Sequence, residues 1–281
     1  VPKAWVFPLR IVALICNDTR IPLALSVMNQ GPRMIDPSKL VAHRGYQAKY
    51  PENTRLSLTK AIEAGALFIE LDVQFSADQL PIIYHDTDLQ RVSGTPTNVF
   101  ATSRQELMTC PAYEPERLGD KFIDEKISPL EYLVDILQAN PQVIAFVELK
   151  EESIDHCGRE LITAKVQEIL KPVAAQCVIM SFDYELAIQA RDSGWPMVGV
   201  VLKNWEDLSH PDINLAQPDY IYTNYKIIPE IPELGSIEAL VSAKLVAYET
   251  DSAELGQRLL DLGVDMLETF EIETLIGLQS S

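Results

Sequence analysis

Two histidines and a pair of carboxylates are the residues whose types and spacing could do chemistry in this chain. His43 lies in V-A-H-R-G-Y and His85 in P-I-I-Y-H-D, while Glu70 and Asp72 lie between them in L-F-I-E-L-D-V. Only four histidines occur in the 281 residues. A neutral imidazole transfers protons near pH 7, and paired carboxylates hold hard divalent cations. Together the four residues predict metal-assisted acid–base chemistry on an anionic substrate.

The carboxylates form a candidate cation site. Glu70 and Asp72 are two apart on an apolar segment, so on a strand they face the same side. Buried carboxylates are costly unless a positive charge compensates them. A salt bridge to neighbouring lysines or arginines is the plainer alternative. Glu148, in A-F-V-E-L-K at the end of the next apolar segment, would add a third oxygen ligand for one divalent cation, Mg²⁺ or Ca²⁺.

Two basic residues lie next to these candidates. Arg44 follows His43 and offers a planar fork that suits phosphate, and Lys150 alternates to the same face as Glu148. Each has a structural alternative, because arginines pair with nearby acids and lysines are usually solvated. A single histidine on an apolar strand is likewise more often a core residue. The presence of two histidines, followed by Arg44 and Asp86, favours the catalytic interpretation.

The net charge of −18 bears on the partners of the chain. It argues against extensive contact with nucleic acid or anionic membrane, so we expect no nucleic-acid partner. An anionic substrate would then need local positive charge, which a bound cation and a few basic residues would supply. No apolar run approaches the roughly 20 residues of a spanning helix, so we expect no stable membrane insertion. The four cysteines are far apart, which favours reduced thiols and a cytoplasmic protein.

The order of apolar segments predicts the fold. Eight short runs rich in β-branched residues alternate with helical patterns and read as buried parallel strands. They are 40–44, 67–73, 143–149, 177–182, 197–202, 219–223, 244–249 and 265–269. Eight strands with helices in a segment of this length fit a TIM (β/α)8 barrel, for which about 250 residues are typical. A doubly wound open sheet is the alternative, but it would carry a Gly-rich phosphate turn that H-R-G-Y does not provide.

Other segments complete the predicted organisation. Helices are expected at 53–64, 129–139, 157–172, 184–193, 231–243 and 252–262, with only a short helical turn in 203–218. Asn53 is expected to cap the first of them. Residues 80–85 read as the return arm of a hairpin beside the second strand, which makes 86–128 an insertion over the strand ends. Residues 34–281 are expected to form the barrel domain, with 1–33 an extension that is either disordered or not native.

The spacing of these segments resembles one known family. The chain has H-R-G-(x)5-P-E-N-T at 43–54, I-E-L-D-V-Q at 69–74, H-D-x-x-L-x-R at 85–91 and V-E-L-K at 147–150. This series resembles the glycerophosphodiester phosphodiesterase family over about residues 39–270. The resemblance implies a TIM barrel with its active site at the carboxyl ends of the strands.

The resemblance also implies roles for single residues. It implies one divalent cation, Mg²⁺ or Ca²⁺, held by Glu70, Asp72 and Glu148. It implies that His43 and His85 are the acid–base pair and that Arg44 and Lys150 contact the phosphate. The role of Glu52 in P-E-N-T stays open.

The chain departs from the family pattern at two strand ends. The seventh strand ends in A-Y-E-T-D rather than a W-T-V-N-like run, and the last ends in Glu268-Thr269-Phe270 rather than T-D. We expect these positions to line the mouth of the site on the alcohol side. They should change substrate preference and leave the cation ligands and histidines intact.

The implied function is metal-dependent hydrolysis of a glycerophosphodiester to glycerol 3-phosphate and an alcohol. Two alternatives use the same barrel. One is a phosphodiesterase that acts on lysophospholipids or phosphoinositol head groups, for which apolar residues of the 86–128 insertion would form the mouth. The other is a protein that binds phosphodiesters without catalysis. The sequence does not indicate the oligomeric state.

Overall fold

The computed structural model describes residues 34–229, 234 and 237–277 of the chain. The expectations for residues 1–33 therefore lie outside the described residues, as does part of the predicted helix at 231–243. The boundary between an extension and a barrel domain stays a prediction.

Eight parallel strands close into a barrel, and two short antiparallel strands extend it. The strands are β1 (Leu40–Ala42), β2 (Phe68–Phe75), β3 (Pro81–Ile83), β4 (Ser128–Pro129), β5 (Ile144–Leu149), β6 (Cys177–Ser181), β7 (Met197–Val201), β8 (Tyr220–Asn224), β9 (Lys244–Tyr248) and β10 (Met266–Thr269). Each parallel strand pairs with the next, and β1 pairs with both β10 and β2. The last pairing closes the sheet. The predicted TIM barrel is confirmed, and the doubly wound open sheet is excluded.

Helices follow the strands around the outside of the barrel. They are α1 (Arg55–Glu63), α2 (Gln90–Ser93), α3 (Arg104–Leu107), α4 (Pro115–Leu118), α5 (Glu131–Ala139), α6 (Glu151–Cys157), α7 (Arg159–Leu170), α8 (Tyr184–Asp192), α9 (Pro211–Ala216), α10 (Glu238–Val241), α11 (Ala253–Leu262) and α12 (Ile272–Ile276). Short 3-10 helices occur at Pro37–Lys39, Val99–Ala101, Gly119–Phe122, Lys171–Gln176, Trp205–Ser209 and Tyr225–Ile227.

Two of the predicted helix boundaries are wrong. The helix expected at 157–172 is α7, which begins at Arg159 because Gly158, with φ +82°, separates it from a preceding helix, α6, that the sequence does not predict. The helix expected to start at Pro129 starts at Glu131, since Pro129 belongs to β4. Proline has no amide hydrogen, and it is tolerated on a short strand at the edge of the sheet.

Side-chain alternation along the strands separates two apolar layers. Leu71 and Val73 of β2 pack in the large cluster between the barrel and the helices. The barrel interior holds a smaller cluster that includes Phe146, Tyr222 and Val246. Residues of β2 that alternate with Leu71 and Val73 therefore point inward. This is the face that carries Glu70 and Asp72.

The hairpin and the insertion form a third layer with its own core. The carboxyl-terminal half of β2 pairs with β3 in antiparallel register, and β3 pairs with β4. This confirms the predicted hairpin. Val92, Val99 and Leu107 are buried with Ile82 and Leu89 in a cluster separate from the barrel core. These apolar side chains therefore pack within the hairpin and the insertion.

No helix within the described ranges is both long enough and apolar enough to cross a bilayer. Cys110, Cys157 and Cys177 are free thiols in the structure. Cys16 lies outside the described residues.

Candidate active site

A cavity of about 150 Å³ lies at the carboxyl ends of the barrel strands. Its wall contains six of the seven residues that the sequence predicts for the site: His43, Arg44, Glu70, His85, Glu148 and Lys150. The seventh, Asp72, lies in contact with this wall, because both Arg44 and Lys150 bind its carboxylate. All seven predicted residues are thus brought together, although they come from segments more than 100 positions apart.

Glu70, Asp72 and Glu148 place three carboxylate oxygens within 4.8 Å of one another. Glu70 and Asp72 are buried, and Asp72 and Glu148 are paired in register on the adjacent strands β2 and β5. Oxygen Oε1 of Glu70 is buried and has no hydrogen-bond partner among the described residues. A hard divalent cation fits this group, because it prefers oxygen ligands and would compensate the buried negative charge.

The pKa values of these carboxyl groups follow from burial and from their neighbours. Burial raises the pKa of Glu70 well above its ordinary value, and the charges of Asp72 and Glu268 raise it further. Burial also raises the pKa of Glu148. For Asp72, burial disfavours the charged form, but Arg44 and Lys150 more than offset it and the pKa is lowered. The negative charge at Glu70 is therefore the least compensated of the three.

His43 is buried at the end of β1, between carboxylates. Its Nε2 atom lies 3.7 Å from Glu70, and its Nδ1 atom lies 3.6 Å from Glu249 and 3.9 Å from Glu268. The ring stacks on Phe270 with a centroid distance of 4.7 Å. Burial, together with the positive charge of Arg44, lowers the pKa of His43 well below its ordinary value. The imidazole is therefore neutral near pH 7 and able to accept a proton.

His85 lies across the cavity, just beyond β3. Its Nδ1 atom is 2.6 Å from Oδ1 of Asp86, and Gln74 donates a hydrogen bond of 2.9 Å to its backbone carbonyl. Asp86 in turn accepts hydrogen bonds from Arg91. A carboxylate on Nδ1 leaves Nε2 for proton transfer and holds the orientation of the ring.

Arg44 and Lys150 supply the positive charge of the cavity. The Nε atom of Arg44 lies 3.0 Å from Asp72, and Lys150 lies 2.7 Å from Glu148 and 3.4 Å from Asp72. The contact of Arg44 matches its structural alternative, pairing with a nearby acid, whereas Lys150 is largely buried and not solvated. Both side chains nevertheless line the cavity, where they can also contact an anionic group of a ligand.

The turn after His43 depends on glycine. Arg44 has φ 52°, and Gly45 has φ +78°. A Cβ atom on Gly45 would lie 2.5 Å from the backbone carbonyl carbon of Ser57, so only glycine fits where the turn meets α1. This close approach holds His43 and Arg44 against the first turn of that helix.

The prediction that Asn53 caps α1 is wrong. The cap is Thr54, whose side chain accepts a hydrogen bond from the amide of Ser57 in a capping box. Asn53 instead has φ 55° and binds Asp72 twice, donating from Nδ2 to Oδ2 at 2.8 Å and accepting from the Asp72 amide at 3.1 Å. Asn53 is therefore part of the site, where it orients one of the candidate cation ligands.

Glu268 is a further acid of the site to which the sequence analysis assigns no chemical role. Glu268 is 3% exposed and lies inside the barrel beside His43. His43, Glu70 and Glu268 form a second group whose ligand atoms lie within 4.8 Å of one another. Glu268 lines the cavity, as the sequence analysis expects of this strand end, but its contact with His43 is not predicted there. The alternation of Met266 and Glu268 along β10 is the signal that could have placed it.

Comparisons with known proteins agree with this architecture. A sequence profile of the Glycerophosphoryl diester phosphodiesterase family matches residues 43–273. A glycerophosphodiester phosphodiesterase of Caldanaerobacter subterraneus subsp. tengcongensis is 27% identical over 250 residues, which cover 85% of this chain and 96% of that protein. A protein of the same description from Bacillus altitudinis is 26% identical over 248 residues, covering 83% of this chain and 94% of the relative.

Solved structures share the fold. A phosphodiesterase of Oleispira antarctica, solved with the product sn-glycerol-3-phosphate, has a TM-score of 0.75 at 23% identity and covers 84% of this chain and 94% of its own. A glycerophosphodiester phosphodiesterase of Thermotoga maritima has a TM-score of 0.64 at 25% identity, with 86% and 98% covered.

Proposed function

The chain belongs to the glycerophosphoryl diester phosphodiesterase family, and we propose that it hydrolyses its substrate by acid–base chemistry of His43 and His85 beside one divalent cation. Its class is that of a phosphoric diester hydrolase, a glycerophosphodiester phosphodiesterase like its relatives. The proposed products are glycerol 3-phosphate and an alcohol. The observation that supports the residue roles is one cavity whose wall contains both histidines, two of the three proposed cation ligands and both basic residues.

The proposed cation ligands are Glu70, Asp72 and Glu148. Mg²⁺ or Ca²⁺ held there would offset the negative charge that builds on the phosphate oxygens during the reaction. Asn53 holds Asp72 in place through one hydrogen bond to its carboxylate and one from its backbone amide. Arg44 and Lys150 bind the remaining phosphate oxygens, and this contact gives an acidic protein a local attraction for an anionic substrate.

The histidines transfer the protons. We assign His43 as the base, because its lowered pKa keeps the imidazole uncharged and a ring nitrogen available for the proton of the attacking hydroxyl. His85, oriented by Asp86, donates a proton to the oxygen of the leaving alcohol. The attacking hydroxyl is either a glycerol hydroxyl of the substrate, which forms a cyclic phosphate that water then opens, or water itself. Both routes end in the same products.

The packing of the insertion favours small, polar substrates over lysophospholipids. Val92, Val99 and Leu107 are buried within the insertion and do not form an apolar mouth. We therefore expect faster hydrolysis of glycerophosphocholine and glycerophosphoethanolamine than of lysophosphatidylcholine. Release of glycerol 3-phosphate from the first two compounds is the test of the reaction.

The histidine roles predict the effect of single substitutions. His43→Ala or His85→Ala should each reduce kcat for glycerophosphocholine by at least about a hundredfold, because one proton transfer contributes roughly 10²–10⁴ in rate. The measurement is the rate of glycerol 3-phosphate release at saturating substrate.

His210→Ala is the matched control, because His210 lies at the start of α9, away from the cavity. It should keep the kcat of the unmodified protein. Near-normal turnover in either His43→Ala or His85→Ala would remove that histidine from the chemistry.

A further inference from the structure

Glu52 is a buried carboxylate that the proposed reaction leaves without a role. Its side chain is 1% exposed and accepts hydrogen bonds from three residues. Arg91 donates from Nη1 and Nη2, each at 2.7 Å. Arg44 donates from Nη1 at 3.0 Å, and Gln47 donates from Nε2 at 2.7 Å. Burial raises the pKa of Glu52, but the hydrogen bonds from Arg91 and the charges of Arg91 and Arg44 lower it by more. The pKa is therefore lowered overall, and the carboxylate is charged.

Arg91 joins Glu52 to the histidine across the cavity. While two of its nitrogens bind Glu52, Nε and Nη2 donate to the two oxygens of Asp86 at 2.8 Å and 2.9 Å. Asp86 lies 2.6 Å from Nδ1 of His85. A continuous series of charged contacts therefore runs from Arg44 through Glu52, Arg91 and Asp86 to His85.

The segment that carries Glu52 is itself held by the insertion. The amide of Glu52 donates to Oε1 of Glu114 at 2.7 Å, and Arg117 binds both oxygens of Glu114. Glu114 has φ 51°, which is uncommon for a residue other than glycine. Such backbone conformations persist where the surrounding contacts enforce them.

We propose that Glu52 and Arg91 are positioning residues that hold Arg44 and His85 at a fixed separation across the cavity. This inference rests on the proposed function, because the distance between Arg44 and His85 matters only if Arg44 contacts the phosphate and His85 donates the proton. Arg91 belongs to the insertion that follows His85, and Glu52 belongs to the turn that follows Arg44 and precedes α1. The pair therefore connects the segment of His85 with the segment of Arg44. Correct placement of a proton donor determines whether bound substrate reacts.

The planar guanidinium is essential to this role. Arg91 binds two carboxylates at once, whereas a lysine would present a single point charge that cannot bond both in the same way. Arg91→Ala and Arg91→Lys should therefore both lower kcat for glycerophosphocholine, by roughly 10- to 100-fold for alanine. The affinity for Mg²⁺ should change by less than about threefold, because neither variant alters a proposed cation ligand.

A double-mutant cycle separates positioning from general structural damage. If Arg91 acts through His85, Arg91→Ala should cost less than about threefold in the His85→Ala background. The cycle is measured as glycerol 3-phosphate release, with the melting temperature of each variant recorded. An equal loss in both backgrounds, or normal kcat in Arg91→Lys, would overturn the inference.

Arg104→Ala is the matched control. Arg104 also belongs to the insertion and binds a carboxylate, Glu131, through Nη1 at 2.8 Å and 2.9 Å, but it does not line the cavity. It should keep normal kcat. Normal activity of His85→Ala would instead contradict the proposed function, so the two failures are distinguishable.

Discussion

Among the three proposed cation ligands, Glu70 carries the least compensated negative charge. Arg44 and Lys150 both bind Asp72, and Lys150 also binds Glu148. Glu70 accepts a hydrogen bond from the amide of Arg44, but its second oxygen is buried without a hydrogen-bond partner in the described part of the chain. The raised pKa of Glu70 reflects this imbalance. Of the three proposed ligands, Glu70 is therefore the one whose buried negative charge a cation would stabilise most.

Substitution of Glu70 should weaken cation binding. Glu70→Gln removes one of three charged ligands and should raise the Kd for Mg²⁺ or Ca²⁺ at least about tenfold, measured by titration calorimetry. The variant should remain folded, because it also removes a buried charge. Glu185→Gln, an exposed position on α8, serves as the control and should bind normally. Unchanged affinity in Glu70→Gln would exclude it as a ligand.

The sequence indicates the candidate residues of the site more completely than it indicates the contacts that these residues make with one another. His43, Glu70 and Glu148 could be recognised because each ends or lies on an apolar strand. The role of Asn53 was misread, since a polar residue before a helix is usually its cap. The alternation along β10 can place Glu268 inside the barrel, but its contact with His43 depends on the pairing of β1 with β10.

At the scale of elements, β1 and α1 together set the position of the first catalytic segment. The strands were predicted to within about two residues, because buried parallel strands read as continuous apolar runs. The α1 boundary was less clear, since Asn53 and Thr54 are both suitable caps. The structure resolves this competition: Thr54 pairs with Ser57 in the capping box, and Asp72 binds Asn53. The contact between Asn53 and Asp72 determines which residue caps the helix, and the local sequence around α1 does not contain that contact.

The close contact at Gly45 predicts a large loss of stability on substitution. Gly45→Ala places a side chain at left-handed φ and within 2.5 Å of the Ser57 backbone, and it should cost roughly 2–5 kcal/mol in the free energy of unfolding. Denaturant unfolding measures this change. Gly194→Ala is the control, because Gly194 has a similar φ of +82° with no atom within 4 Å of the added Cβ.

The two glycine variants should differ clearly. Gly194→Ala should cost only the conformational strain, about 1–2 kcal/mol. Gly45→Ala should also lower activity, because His43 and Arg44 lie on the turn that must move. Equal losses of stability in the two variants would show that the Ser57 backbone can move away from the added Cβ atom at little cost in free energy.

At the scale of the whole molecule, the barrel explains how an acidic protein can act on an anion. The net charge is −18, and the cavity itself contains more acids than basic residues. Parallel strands bring their carboxyl ends to one face, so acids from β2, β5 and β10 meet in one place. That convergence could be predicted only through the fold class. A bound divalent cation would turn this concentration of negative charge into a site for phosphate.

The most direct test of this account is the release of glycerol 3-phosphate from glycerophosphocholine before and after removal of divalent ions with EDTA. The account predicts that chelation abolishes activity and that Mg²⁺ or Ca²⁺ restores it, while Glu70→Gln is restored only at much higher concentration of the ion. Full activity after exhaustive chelation would contradict the three-carboxylate cation site on which the proposed mechanism depends.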